Sequence, residues 1–207
     1  MPSQSPPAIS AAIEGLVDEA VVRRLVTHVG ATLGPVFGKE GKQFLRKRVR
    51  GYNQAARFSP WIVLVDLDHD EQCAPPLQTA WLPSRSRNMC FRVAVRSVEA
   101  WLLADRDRLS AFLGVAVSLI PRQPEDELHP KQALVRVAMQ SRRRDIRQDM
   151  SPRAGSGRVI GPAYTSRLIE FVSHRARGWR PEVAARSSES LRRCLACLRN
   201  LVARRSR

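Results

Sequence analysis

The sequence predicts an α/β protein, with a mainly parallel sheet of about four strands flanked by helices and a helical C-terminal extension. Short apolar runs of strand length alternate with longer segments in which apolar residues recur every three or four positions. The most apolar run, residues 61–65, follows Pro60 and is typical of a strand buried on both faces. Beyond Pro121 the strand-like runs stop and only helical periodicity remains.

The first part of the chain predicts the element order β-α-β-α-β-loop-β-α. The expected strands are residues 8–13, a weak edge strand at 36–37, and residues 61–66 and 90–95. The expected helices are residues 17–29, a very basic helix at 39–57, and a helix or broken helix pair at 98–113 that ends at Gly114. Residues 71–89 are rich in proline and predict a loop with at most one helical turn. Strands that alternate with helices favour a parallel sheet.

The second part predicts a linker or lid at residues 121–130, which hold three prolines and an acidic cluster. Pro130 and Pro162 are suited to open helices, and Ser187 or Ser188 is suited to cap a final one. We therefore divide the chain into a disordered tail at 1–7, an α/β domain at 8–120 and a helical extension at 121–207 that packs on it.

The charge of the chain is its most unusual bulk property. Lys and Arg number 35 against 19 Asp and Glu, which gives a formal net charge of +16. Arginine dominates this excess and binds phosphate with two hydrogen bonds, so nucleic acid is the expected partner; an arginine-biased genome is the alternative explanation. The start resembles no signal peptide, and no stretch is long and apolar enough to span a bilayer, so we expect a cytoplasmic protein without a membrane partner.

Acidic residues follow two of the predicted strands at their carboxyl ends. Glu14 ends the first strand, and Asp66, Asp68 and Asp70 end the most apolar one. Parallel strands bring their carboxyl ends to one edge of a sheet, where open α/β folds bind ligands. Residues i and i+2 of an extended chain point the same way, so Asp66 and Asp68 are expected to converge. Converging carboxylates repel one another unless one is protonated or a cation lies between them.

A glutamate, a pair of aspartates and one or two Mg²⁺ (or Mn²⁺) ions are the parts that phosphodiester hydrolysis needs. We therefore predict a metal-dependent nuclease, with Asp70 as a further metal ligand. Each acid has a structural alternative: Glu14 beside a helix N-terminus, Asp66 or Asp68 as a helix cap, and Asp70 as a solvated side chain. Asp18 lies one helical turn after Glu14, and we expect it to be exposed.

The motifs resemble the Toprim domain of topoisomerases, bacterial primases and OLD-family nucleases. The matching motifs are Glu14-Gly15 after the first strand and Asp66-Leu67-Asp68 after a hydrophobic strand. The chain is also similar to small stand-alone Toprim-like proteins of the DUF4276 type. Their start, their aspartate pair and their tryptophan segment are matched at residues 14–19, 66–68 and 99–105, and a later Asp-Pro-Lys is matched in part at residues 129–131.

This resemblance implies a Toprim/Rossmann-like fold and a Mg²⁺-dependent nuclease-like centre. It implies acid/base work for Glu14 and metal binding for Asp66 and Asp68. It also implies that Glu99 is an additional catalytic or metal-binding acid, although Glu99 equally suits the first turn of a helix. His129 stands where these proteins have aspartate. OLD-family nucleases join Toprim to an ATPase, so a partner ATPase is a further expectation.

Basic residues in three segments are expected to grip phosphates, with a solvated surface as the alternative for each. They are Lys39, Lys42, Arg46, Lys131, Arg142, Arg143 and Arg144. We expect DNA in preference to RNA as the nucleic acid. The alternative function is a non-catalytic nucleic-acid-binding or regulatory subunit that works with a partner ATPase. A metal-dependent nucleotidyl transferase is a third possibility.

Overall fold

A computed structural model describes residues 6–204 of the chain. The predicted tail at residues 1–7 therefore lies mostly outside the described residues, as do the last three residues of the predicted extension. Within residues 6–204, the fold is an α/β layer structure followed by helices.

All strand pairings of the four-stranded sheet are parallel, in the order β2-β1-β3-β4. The strands are β1 (Ala8–Ile13), β2 (Thr32–Gly38), β3 (Trp61–Asp66) and β4 (Met89–Ala94). This arrangement confirms the predicted fold class. The predicted edge strand at residues 36–37 forms as the longer β2 and does lie at one edge of the sheet.

Helices cover both faces of the sheet, and helices and loops make up the rest of the described residues. They are α1 (Leu16–His28), α2 (Lys42–Ala55), α3 (Ala74–Trp81), α4 (Val98–Leu103), α5 (Arg106–Leu113), α6 (Pro130–Met139), α7 (Arg144–Met150), α8 (Tyr164–Ser173), α9 (Pro181–Ala184) and α10 (Glu189–Ala203), with a 3₁₀ turn at Val117–Leu119. The predicted broken helix pair is thus α4 and α5, and Gly114 ends α5 in the left-handed conformation that favours glycine.

The central strand β3 is buried on both faces, as its apolar run predicts. Ile62 and Leu64 pack into one hydrophobic cluster, with α1, α4 and the C-terminal helices. Trp61, Val63 and Val65 pack into a second cluster on the opposite face, with α2 and α3. The alternation of a strand therefore places successive side chains in different cores.

One prediction about secondary structure is wrong. Residues 71–89 were expected to form a loop with at most one helical turn, but they contain the eight-residue helix α3. Its prolines occupy the first turn, where a missing N–H costs nothing, and Leu77 and Trp81 bury against the sheet. The spacing of Leu77 and Trp81 by four residues is the helical signal that the proline content obscures.

The C-terminal helices share a hydrophobic cluster with the α/β layer, which runs from Ile9 in β1 to Leu201 in α10. Helix α6 begins at Pro130, and Ser188 caps α10 by accepting a hydrogen bond from the backbone N–H of Leu191. Helix α8 begins at Tyr164, two residues after Pro162. In the part of the chain that the structure describes, no helix is long and apolar enough to cross a membrane.

Candidate functional site

The carboxyl edge of the sheet brings together the acids that follow β1 and β3. The register pairs Ala12 with Val63, so Glu14 lies beside Asp66. The backbone N–H of Asp66 donates a hydrogen bond of 2.8 Å to Oε1 of Glu14. Oδ1 of Asp66 accepts a hydrogen bond of 3.0 Å from the backbone N–H of Val98, at the start of α4. Both acids therefore have a structural contact, and each retains a second carboxylate oxygen.

Two further acids, Asp18 and Glu99, are almost completely buried next to this pair. Asp18 is 6% exposed and Glu99 is 3% exposed. Asp18, Asp66 and Glu99 line one cavity of about 300 Å³. The expectation that Asp18 is exposed is wrong, because α1 turns its first turn inward, towards α4 and α8. A Cβ at Gly15 would lie 3.3 Å from Oδ2 of Asp18, so a glycine leaves this carboxylate room.

The hydrogen bonding of these two buried acids differs. Glu99 is satisfied, since the Ser97 hydroxyl donates to Oε2 at 2.7 Å and the Tyr164 hydroxyl donates to Oε1 at 3.3 Å. The ammonium of Lys131 lies 3.7 Å from the same Oε1. In Asp18, by contrast, the buried Oδ1 has no hydrogen-bond partner. A buried carboxylate oxygen without a partner is costly unless it binds a proton or a cation.

The electrostatics of the cluster favour protonation. Burial, opposed in part by the hydrogen bond from the Asp66 backbone, raises the pKa of Glu14 to about 7. Burial and then the charges of Glu14 and Glu99 raise the pKa of Asp18 to about 7. Burial, followed by repulsion from Asp18, Glu99 and Glu14, raises the pKa of Asp66 well above its usual range. Acids whose pKa values approach neutrality are suited to exchange protons or to bind a cation.

Asp68 and Asp70 are placed differently from Asp66. Asp68 takes the left-handed conformation, with φ of 52°, so the chain is not extended there and the premise that Asp66 and Asp68 point the same way fails. The side chains of Asp68 and Asp70 are half exposed, and both accept from the ammonium of Lys42, at 3.0 and 2.9 Å. Burial alone would lower the pKa of Lys42, but these hydrogen bonds raise it.

A second, outer cavity of about 190 Å³ adjoins the first and shares Asp66 and Lys131 with it. Asp68 lines this outer cavity, together with basic side chains from three segments. Over residues 6–204, no group of three His, Cys, Asp or Glu side chains has the arrangement of a metal site. A cation bound by these acids would therefore require side chains to move.

Comparison of the chain with protein-family models, curated proteins and solved structures finds no match. The likeness to the Toprim domain therefore stays a prediction that rests on the motifs.

The predicted phosphate-binding residues differ in whether a carboxylate pairs with them. Lys39 and Lys42 on the sheet side form ion pairs, Lys39 with Glu19 at 2.6 Å and Lys42 as described above. Arg143 pairs with Asp145 at 2.6 Å. Exposed cations with no carboxylate partner among the described residues are Arg46, Arg142 and Arg144. Lys131 lies at the boundary between the two cavities.

Sequence reasoning missed the contribution of the C-terminal extension to this site. Tyr164 and Thr165 at the start of α8 line the inner cavity, and Ile160 closes it. No local pattern marks them, because Tyr164 is separated from Glu99 by 65 residues. For Asp18 a signal existed: a residue four positions after Glu14 shares its face if a helix begins between them.

Proposed function

We propose that this protein is a divalent-cation-dependent phosphodiesterase that cleaves nucleic acid at the carboxyl edge of its sheet. The observation that carries the proposal is that Asp18, Asp66 and Glu99 line one cavity of a chain with a net charge of +16. Glu14 adjoins this group through its hydrogen bond from the Asp66 backbone. Such a concentration of acids destabilises a fold, and proteins retain one where binding or catalysis requires it. The positive surface attracts the phosphate backbone, and the acids supply the chemistry.

The donor set fits a hard divalent cation. Mg²⁺ and Mn²⁺ prefer carboxylate oxygens, and the cavity offers those of Asp18, Asp66 and Glu99. The unpartnered Oδ1 of Asp18 and the mutual repulsion among the acids are both relieved by a cation. When bound, one or two such ions polarise a phosphoryl oxygen and lower the pKa of a bound water. Asp68 and Asp70 act at the periphery in this proposal, because both are half exposed and share the ammonium of Lys42.

The chain's own residues divide the remaining work. Glu14, with a pKa of about 7, accepts or donates a proton at neutral pH. Tyr164 and Ser97 hold Glu99 in one orientation through their hydroxyl groups. Lys131, half exposed between the two cavities, offsets negative charge on an entering phosphate. Helix α2 has no acidic residue and presents Arg46, with its basic neighbours, to longer nucleic acid.

The experiment is an assay of cleavage by purified protein with Mg²⁺ or Mn²⁺, on single- and double-stranded DNA and RNA of matched sequence. We expect Asp66→Asn and Glu14→Gln to reduce turnover by at least about a hundredfold, the scale of lost acid/base or electrostatic catalysis. Asp126→Asn, which removes an exposed acid from the 121–130 segment, is the matched control and should leave cleavage unchanged. Cleavage that persists in Asp66→Asn at the wild-type rate would place the activity elsewhere.

A second candidate is a binding or regulatory subunit that does not cleave by itself. The specific observation in its favour is that residues 6–204 contain no preformed group of metal ligands. This candidate predicts salt-sensitive binding of nucleic acid without turnover in either metal. A partner ATPase remains an expectation, and addition of such a partner would be required to restore cleavage if this candidate is correct.

A further inference from the structure

The outer cavity next to the acidic site has a basic lining of which the proposed cleavage uses only Lys131. It is lined by the loop that follows β3, by the segment between β4 and α4, and by the first turn of α6. These three segments contribute the cationic or imidazole side chains His69, Arg96, His129 and Lys131. The cavity shares Asp66 with the inner cavity, so a group bound here would lie directly beside the carboxylates.

Of the two cations on this wall, one has no carboxylate partner among the described residues and the other has a single ion pair of 3.7 Å. Nη1 of Arg96 donates to the backbone oxygens of Asp68, at 3.3 Å, and of Glu71, at 3.0 Å, and Arg96 makes no ion pair with a described carboxylate. These contacts fix the guanidinium against the wall and leave its other nitrogens free to donate. The half-exposed Lys131 is only 3.7 Å from Glu99 Oε1 and can reach either cavity.

The two acids that line the same cavity have hydrogen-bond partners outside it. Asp68 is paired with Lys42 at 3.0 Å. Oδ1 of Asp66 accepts a hydrogen bond of 3.0 Å from the backbone N–H of Val98. Each aspartate of the lining therefore has a partner that does not line this cavity, which leaves Arg96, Lys131 and the two histidines to contact a ligand.

His69 and His129 form a pair at the mouth of the cavity. Nε2 of His69 lies 3.3 Å from Nδ1 of His129, and the two rings meet edge to face with centroids 4.8 Å apart. One ring nitrogen of each is used in this contact, so Nδ1 of His69 and Nε2 of His129 are available to a ligand. Both side chains are exposed, so burial does not explain why they meet.

The backbone at the start of α6 also favours a negatively charged group in this cavity. His129 is the N-cap of the ten-residue helix α6, and Pro130, Lys131 and Gln132 of its first turn line the cavity. The first amides of a helix lack intrahelical acceptors and carry the positive end of the helix dipole. This end of α6 therefore reinforces the positive charge that the side chains supply.

We propose that the outer cavity is a phosphate-binding subsite in which Arg96, Lys131 and the His69–His129 pair hold a phosphate group of the nucleic acid. The proposal rests on the proposed function in one respect, since it places that phosphate beside the acids that cleave the chain.

The test is isothermal calorimetry of the full chain with inorganic phosphate in chelator, so that no divalent cation takes part. We expect His69→Ala/His129→Ala to weaken phosphate binding at least about tenfold, the scale of one charge-assisted hydrogen bond. His174→Ala, which removes an exposed histidine in another part of the chain, is the matched control and should bind like the wild type. Gln132→Glu, which adds a negative charge to the cavity wall, should also weaken binding and guards against misfolding of the double variant.

The outcomes separate this proposal from the proposed function. Wild-type protein that does not bind millimolar phosphate, or binding that both the double variant and Gln132→Glu retain, overturns the subsite even if Mg²⁺-dependent cleavage occurs. Phosphate binding that requires the histidine pair supports the subsite even if no cleavage is seen, in which case the proposed catalytic function fails alone. With cleavage present, the double variant should raise KM more than it lowers kcat.

Discussion

Two aspartates near the two ends of helix α4 differ in how their negative charge is compensated: Asp105 is buried and Asp66 is partly buried. Asp105, just beyond the C-terminal end, is completely buried. Its carboxylate accepts three hydrogen bonds from Arg180: one from the backbone N–H of Arg180 at 2.8 Å, and two from the guanidinium nitrogens Nε and Nη2 at 3.0 and 2.6 Å. Asp66, at the N-terminal end, receives one carboxylate hydrogen bond from the Val98 backbone and lies among other acids. Asp105 therefore has a cationic partner, whereas the carboxylate of Asp66 has one backbone hydrogen bond and no cationic partner among the described residues.

The difference teaches what each acid is for. A buried carboxylate with a two-pronged guanidinium partner holds elements together, here α4 and α5 with the segment before α9. The partly buried carboxylate of Asp66 lies near Asp18, Glu14 and Glu99, and their negative charges repel one another, so each ionised acid raises the free energy needed to ionise the next. Folds retain such clusters where binding or catalysis needs them.

The largest expected effect on stability comes from breaking the compensated pair. Arg180→Met keeps the apolar part of the side chain but leaves Asp105 buried without its cation, so we expect a loss of about 3 kcal/mol in the free energy of unfolding. The exposed Arg186 provides the control, since Arg186→Met should change stability by less than about 0.5 kcal/mol. Urea denaturation of both variants measures the difference. If Arg180→Met were as stable as the control, the ion pair would not be the structural contact that the comparison requires.

The uncompensated cluster should make the folded protein less stable as pH rises, whereas an acid paired with a cation makes it more stable. Glu14 and Asp18 have pKa values of about 7 in the folded protein, above their ordinary values of 4.5 and 3.8. Between these values the unfolded chain has lost its protons while the folded chain keeps them, so the cluster's contribution to stability falls as pH rises and levels off above about pH 7. We expect a loss on the order of a few kcal/mol between about pH 5 and about pH 8 in the presence of chelator.

Denaturation of Asp18→Asn over the same pH range isolates this contribution. The variant should show a shallower loss of stability with rising pH, because one of the titrating acids is gone. Mg²⁺ should stabilise the wild type at about pH 8 far more than at about pH 5, since protons and the cation compete for the same oxygens. Identical pH profiles for wild type and Asp18→Asn, with no effect of Mg²⁺, would remove the electrostatic basis of the site.

Local sequence signals predicted the sheet and the acids that follow its strands. A strand is recognised from a few neighbouring residues, and the alternation of strands with helices favours parallel pairing. The apolar run that forms β3 and the positions of Glu14 and Asp66 at one edge follow from this reasoning. The surroundings of the acids could not be predicted in the same way. Tyr164 and Arg180 reach their partners across 65 and 75 residues, and no periodicity encodes those contacts. Asp68 does not point the same way as Asp66, as the extended chain predicted, because its backbone adopts the left-handed conformation.

The smallest effect is expected at the exposed acids beside the cluster, where water and Lys42 already provide compensation. In Asp70→Ala, Lys42 keeps its hydrogen bonds to Asp68 and to the Leu67 carbonyl oxygen, both at 3.0 Å. The half-exposed pair that is lost contributes about 0–1 kcal/mol, so stability should change by no more than that. Because Asp70 lies outside both cavities, cleavage in Mg²⁺ should stay within about twofold of the wild type. A loss comparable to that of Asp66→Asn would instead make Asp70 a metal ligand. The catalytic site would then include the turn that follows β3.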